Sequence, residues 1–191
     1  MPSNLPGGSL STPRAAAPTG GAAAVAGDER VRGLAEALHE QQARVAAALG
    51  RLRGGERLDT RGRTELTDVG HFPEYAPELE WTASAVTGHL VESARVFLGR
   101  IEALRSAPDT VIADFDPHRN VDLWARQPVS ALAEALRAAH AELVSSVRSL
   151  DEESLSTPGT WDDGTAVTLG DVVGFLPGHV GDHAAQLERM R

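Results

Sequence analysis

Apolar residues recur at threes and fours in four separate stretches of the chain, each predicting one amphipathic helix. In the first, Val31, Leu34, Leu38, Val45, Leu49 and Leu52 form a stripe broken only at Gln42, with Asp28 placed to cap the helix that carries it. The second, "WTASAVTGHLVESARVFLGRIEAL", predicts a helix from Thr82 to Leu104. Thr82 is its cap, and Ala85, Val86, His89, Ser93, Val96, Phe97 and Leu104 share its inner face. The third spans residues 129–150, with Leu132, Leu136, Leu143, Val147 and Leu150 inward. The fourth starts at Thr168, with Asp171 three residues on as in a capping box. Its inner arc holds Val172, Leu176, His179, His183, Leu187 and Met190. Gly174, Pro177, Gly178 and Gly181 make this last helix poor on propensity, and Pro177 leaves the Val173 carbonyl without its usual partner. The apolar period nevertheless stays helical.

The segments between these stretches carry turn chemistry. "RGGERLDTRGR" reads as a solvated basic loop, with phosphate or carboxylate binding as the alternative. Residues 107–128 hold Pro108, Pro117 and Pro128 and read as a connection with a short helix near Val121–Arg126. "STPGTWDDGTAV" reads as a turn-rich link. With no competing strand signal, the expectation is an all-α protein, a four-helix bundle over residues 28–191. Residues 1–27 are Pro, Gly, Ser and Ala with almost no large apolar side chain, which predicts a disordered tail. Within that tail "AAAVAG" has no apolar core before it, as a secretory signal would require, so the chain is read as cytoplasmic.

Composition narrows the function. Aromatic residues make up only 4% of the chain, so Leu, Val and Ala have to build the core. The formal net charge of −9 argues against a general nucleic-acid binder or an acidic-membrane binder. No apolar run approaches the ~20 residues of a membrane span. Cysteine is absent, which excludes disulfides, zinc-thiolate sites and a thiol nucleophile of the protein's own. All 18 basic residues are arginine; with the Ala, Gly and Pro excess, that reads as a GC-rich coding sequence.

The histidines carry the candidate chemistry. His179 and His183 lie one helical turn apart on the core-facing arc of the fourth helix, either as ordinary packed side chains or as two ligands of one metal. His89 interrupts the apolar stripe of the second helix in the same way. Three buried imidazoles are costly unless each finds a partner, and a shared metal supplies all three partners at once. His39 and His140 sit at stripe edges, while His71 and His118 fall in connections; these four read as structural or exposed, His118 standing beside Asp114 and Asp116. "HEQQA" at His39 lacks the second histidine of a zincin helix. Glu36 and His39 form a single Glu-x-x-His where a di-iron bundle needs two. No G-x-S-x-G, P-loop or dinucleotide fingerprint is present.

A helix opening Trp-Thr with His seven residues after the Thr ("WTASAVTGH"), a Leu-rich third helix and a terminal H-x-x-x-H-x-x-Q-L together resemble the DinB/YfiT-like superfamily. That superfamily includes mycothiol-dependent maleylpyruvate isomerase and thiol S-transferases. The resemblance covers residues 29–191 and leaves Pro177 and the 54–80 connection outside its pattern. It implies a four-helix bundle with a divalent metal, zinc or nickel, held at one end by His89, His179 and His183, with Gln186 and Leu187 matching the terminal "QL". Three neutral imidazoles leave such an ion open positions, as catalytic rather than structural sites do, and the ion lowers the pKa of the water or thiol it meets. Without a cysteine, the thiol has to come from outside. The expected function is a metal-dependent transferase that uses a low-molecular-weight thiol, mycothiol or a similar one, against a small electrophile. The rivals are a metal-dependent hydrolase or isomerase working through metal-bound water, and a non-catalytic metal- or ligand-binding stress protein. Monomer and homodimer are both compatible with the pattern.

Overall fold

In the computed structural model, residues 20–191 are described. Residues 1–19 of the expected tail lie outside the described residues. Four long helices make the framework: α1 (Gly20–Leu49), α3 (Ala83–Ser106), α5 (Val129–Arg148) and α7 (Leu169–Arg189); the shorter α2 (Thr60–Asp68), α4 (Val121–Trp124) and α6 (Glu152–Leu155) lie between them. In the bundle α1 packs on α5 and α7, and α3 packs on α5 and α7, so the four helices close into a ring with α3 beside α7. That adjacency joins the two stripes that carry histidine.

Local chemistry explains the helix ends. Thr82 caps α3, its hydroxyl accepting from the Ala85 amide at 3.1 Å. Thr168 and Asp171 form the expected capping box of α7, each side chain accepting from the other's backbone amide. Such caps contribute about 1 kcal/mol each. The helix of α7 continues through Pro177. Gln42, the polar break in the first stripe, is buried and donates through Nε2 to the His140 carbonyl at 3.3 Å, so the break is a satisfied cross-link between α1 and α5.

Four sequence expectations need correction. First, α1 begins at Gly20, so Asp28 lies within the helix and is not its cap. Second, the basic loop is not simply solvated. It runs into α2, which Asp59 caps by accepting from the Gly62 amide at 2.7 Å. Its arginines also tie it to the far end of α7 and to the segment before α3. Arg57 exchanges backbone hydrogen bonds with Arg191, Arg51 donates to the Leu187 carbonyl at 3.1 Å, and Arg63 pairs with Glu80. Third, the "turn-rich link" is a β-hairpin. Strands β2 (Pro158–Trp161) and β3 (Ala166–Thr168) pair antiparallel across a turn with Gly164 at φ +88°. Fourth, the 107–128 connection holds a further strand, β1 (Thr110–Ile112), parallel to β2 with Val111 opposite Thr160, besides the expected short helix α4. Three- and four-residue strands are too short to show an alternation against helical periods. The all-α framework therefore carries one small sheet, ordered β1-β2-β3, at its edge.

Close approaches pin this edge to α3. A Cβ on Gly159 would sit 2.4 Å from Leu104, and one on Gly88 would sit 2.2 Å from the Trp124 side chain. Glu92 on α3 then accepts from Asn120 Nδ2 at 2.7 Å, Arg119 at 3.1 Å and Trp124 Nε1 at 3.2 Å. The connection is thereby fastened beside His89.

Candidate metal centre

Residues 81–91 are buried without exception, because the first turns of α3 run between α7, α5 and α4. His89 is 3% exposed within that segment. On α7 the one-turn spacing of His179 and His183 turns both rings toward α3. The ring centroids of His89 and His183 are 4.8 Å apart, those of His179 and His183 4.9 Å, and those of His89 and His179 5.3 Å. One nitrogen from each ring lies within 4.8 Å of the other two. The structure thus brings together the three histidines that the sequence singled out.

The surroundings make these rings neutral. Burial pushes the His89 pKa down to about 2, with His183, His179 and His118 adding to the effect. Burial likewise pushes His179 down to about 3, with His183 contributing. His183 is lowered chiefly by burial, which its bond to Gln186 opposes. That bond fixes the ring: His183 Nδ1–H donates to Gln186 Oε1 at 2.9 Å, and the Gln186 amide donates onward to the Glu78 carbonyl. Nε2 of His183 is left free to act as a donor atom. His89 Nδ1 is buried with no hydrogen-bond partner, an arrangement that is rare unless something further binds the ring. Three neutral imidazoles with an unspent buried nitrogen fit a divalent ion.

The three rings form part of the wall of a cavity of about 540 Å³. Phe175 stacks on His179 at 5.3 Å, Phe115 on His89 at 5.9 Å, and Phe72 lies 5.5 Å from His183. Ser93 Oγ, one turn beyond His89, stands 3.1 Å from His179 Nε2. Two further groups had no sequence signal. His71 lines the cavity with its Nδ1–H donating to Asp182 Oδ1 at 2.7 Å, which leaves Nε2 able to take or give a proton. Arg100 lines it from the continuation of the α3 stripe. His71 was expected to be structural or exposed because it sits in a connection; only the fold shows that this connection borders α7. His118 stays exposed, edge-on to Trp81 at 5.6 Å and outside the cluster. His39 is exposed, and His140 is buried between α1 and α5. Of the three glycines that flank the histidines, Gly181 meets the Gln41 side chain of α1, whereas Gly174 and Gly178 face open space.

With helix ring and histidine cluster in place, the chain belongs to the DinB superfamily, whose sequence profile matches residues 27–187. Two solved structures share the fold. YfiT from Bacillus subtilis, described as a probable metal-dependent hydrolase with an unusual four-helix bundle topology, superposes with a TM-score of 0.62 at 16% identity, over 93% of this chain and 89% of its own. The mycothiol-dependent maleylpyruvate isomerase superposes with a TM-score of 0.60 at 14% identity, over 83% of this chain and 61% of its own. No curated protein matches the sequence. Among the described residues no helix is long and apolar enough to cross a membrane.

Proposed function

We propose that His89, His179 and His183 hold a divalent ion, zinc or nickel, and that the chain is a transferase joining an external low-molecular-weight thiol to a small electrophile. The observation that carries this reading is the convergence of three neutral imidazoles, two buried and one half-buried, on one cavity in a protein without cysteine. When bound, the ion supplies a positive charge that lowers the pKa of a thiol or water reaching it. The chain's own residues do the rest. Burial keeps the imidazoles neutral at physiological pH, and Gln186 orients His183. Phe97, Phe115 and Phe175 give the cavity an apolar wall, while His71, held by Asp182, accepts or returns a proton beside them. Mycothiol is the proposed thiol, which accords with the mycothiol dependence of one protein of similar fold.

One observation favours a second reading. The His71–Asp182 pair can serve as a base toward water as well as toward a thiol, and the other structural relative is described as a probable hydrolase. Thiol dependence separates the two. Protein purified without a histidine tag, loaded with zinc or nickel, is assayed with electrophiles and with esters or amides, each with and without thiol. About one ion per chain by mass spectrometry, with turnover only when thiol is present, is the expected result. Thiol-independent hydrolysis establishes the second reading. Full metal occupancy without any turnover leaves a metal- or ligand-binding protein. No bound metal removes both enzymatic readings.

A further inference from the structure

The α3 face that begins with His89 and Ser93 continues through Phe97 to Arg100. Arg100 is only 9% exposed, and it lines the same cavity as the histidines. Its guanidinium carbon lies 4.8 Å from the Trp161 ring centroid and 5.1 Å from that of Phe97, held between two aromatic faces. Phe97 in turn lies 6.4 Å from His179, so a single ring touches both the cation and the histidine cluster.

The hydrogen bonds of this cation are incomplete. Nη2 donates to the Ala113 carbonyl at 2.7 Å, while Nε is buried with no partner. Asp114 and Asp162 act on it only at a distance, and among the described residues no carboxylate lies within ion-pairing range. A guanidinium carries five N–H groups in a planar fork, and a buried charge without a counter-ion is costly. The fork matches a carboxylate bidentately. Phe97, Phe115, Phe175 and Trp161 line the space around it with rings that suit an apolar body.

We infer that Arg100 is the anchor for a carboxylate on the electrophilic substrate, seating a small, apolar carboxylic acid with its other end at the histidine cluster. The inference deepens the transferase reading and rests on that cavity being a substrate pocket. A carboxylate could instead be carried by the thiol, and the test separates the two sources.

Benzoate, uncharged benzamide, N-acetylcysteine and N-acetylcysteine amide are titrated calorimetrically into zinc-loaded and zinc-stripped protein. The expected result is benzoate binding in both forms, at least tenfold weaker in Arg100→Gln and partly restored in Arg100→Lys, with benzamide weak throughout. Benzoate binding that needs zinc but ignores Arg100 overturns the inference, as does Arg100-dependent binding confined to N-acetylcysteine. If the variants do not fold, the Arg100 Nε–H resonance of wild-type protein serves. A shift on adding benzoate supports the contact, and an unmoved resonance in benzoate-saturated protein overturns it. Failure of the metal reading is visible separately, as absence of zinc uptake while Arg100-dependent binding persists.

Discussion

Two cavities of the bundle, one bordered by α3 and α7 and one between α1 and α5, each have a buried histidine beside a buried glutamine. They differ in what those side chains do. Between α1 and α5, in a cavity of about 420 Å³, buried His140 shares the wall with an exposed His39, and Gln42 spends its amide on the His140 backbone. Burial pushes the His140 pKa down to about 4, and nothing nearby shares the cost. Beside α3 and α7, in a cavity of about 540 Å³, three imidazoles converge, and Gln186 spends its carbonyl on a ring nitrogen. A buried histidine is therefore an ordinary core residue until its nitrogens converge with others, and a glutamine becomes part of a site when it orients a ring.

Single substitutions test that contrast most strongly. His89→Ala, His179→Ala and His183→Ala are each expected to weaken zinc binding by at least about 100-fold, whereas His140→Ala leaves it unchanged. Competition against a chromogenic chelator measures both. A zinc affinity that survives His89→Ala breaks the comparison, because the site would then be a helix-local pair.

Acid titration gives the next largest effect. A histidine whose folded pKa is depressed lends stability that is present above its unfolded value near 6.5 and is lost as pH falls toward the folded one. Each such group costs about 1.4 kcal/mol per pH unit below 6.5. For His140 the loss ends near pH 4, while for His89 and His179 it continues toward about 2 and about 3. Urea unfolding of zinc-free protein between pH 7 and pH 4 should fall steeply. In His140→Asn and in His89→Asn the slope eases throughout this range, and below pH 4 the easing persists only in His89→Asn.

The two glutamines come third. Gln186→Leu should cost 10- to 100-fold in zinc affinity, roughly the usual effect of losing a partner that orients a metal ligand. Gln42→Leu should leave zinc affinity intact and lower stability by about 1 kcal/mol through the lost bond to α5. Smallest of all, His39→Ala at the exposed end of the α1–α5 cavity should change stability by no more than about 0.5 kcal/mol in a thermal melt.

The four long helices were legible because each stripe runs for four turns or more, and two of them start at a recognisable cap, Thr82 and Thr168. The histidines were legible for the same reason, since each breaks an apolar stripe at a position that periodicity assigns to the interior. Strands of three residues carry no such period. Arg100, in "FLGRIEALR", looks like any helix-surface arginine until the sheet lays Trp161 over it. His71 could not be assigned because a connection has no periodicity to say which way a side chain faces. Part of the cavity wall, at His71, Phe72, Phe115 and Trp161, comes from those connections, so it was invisible where the ligands were not.

The ligand set also has a temporal side. His179 and His183 are neighbours on one helix, but His89 comes from a helix formed much earlier in the chain, with α5 and the hairpin in between. An unfolded chain can offer a metal at most the nearby pair, and the third nitrogen arrives only when α3 and α7 dock. An ion on all three would act as a clasp that closes last and hinders reopening, slowing unfolding more than it speeds folding. In a cell, metal supply would then set how long each copy of the protein survives as well as how many copies are active.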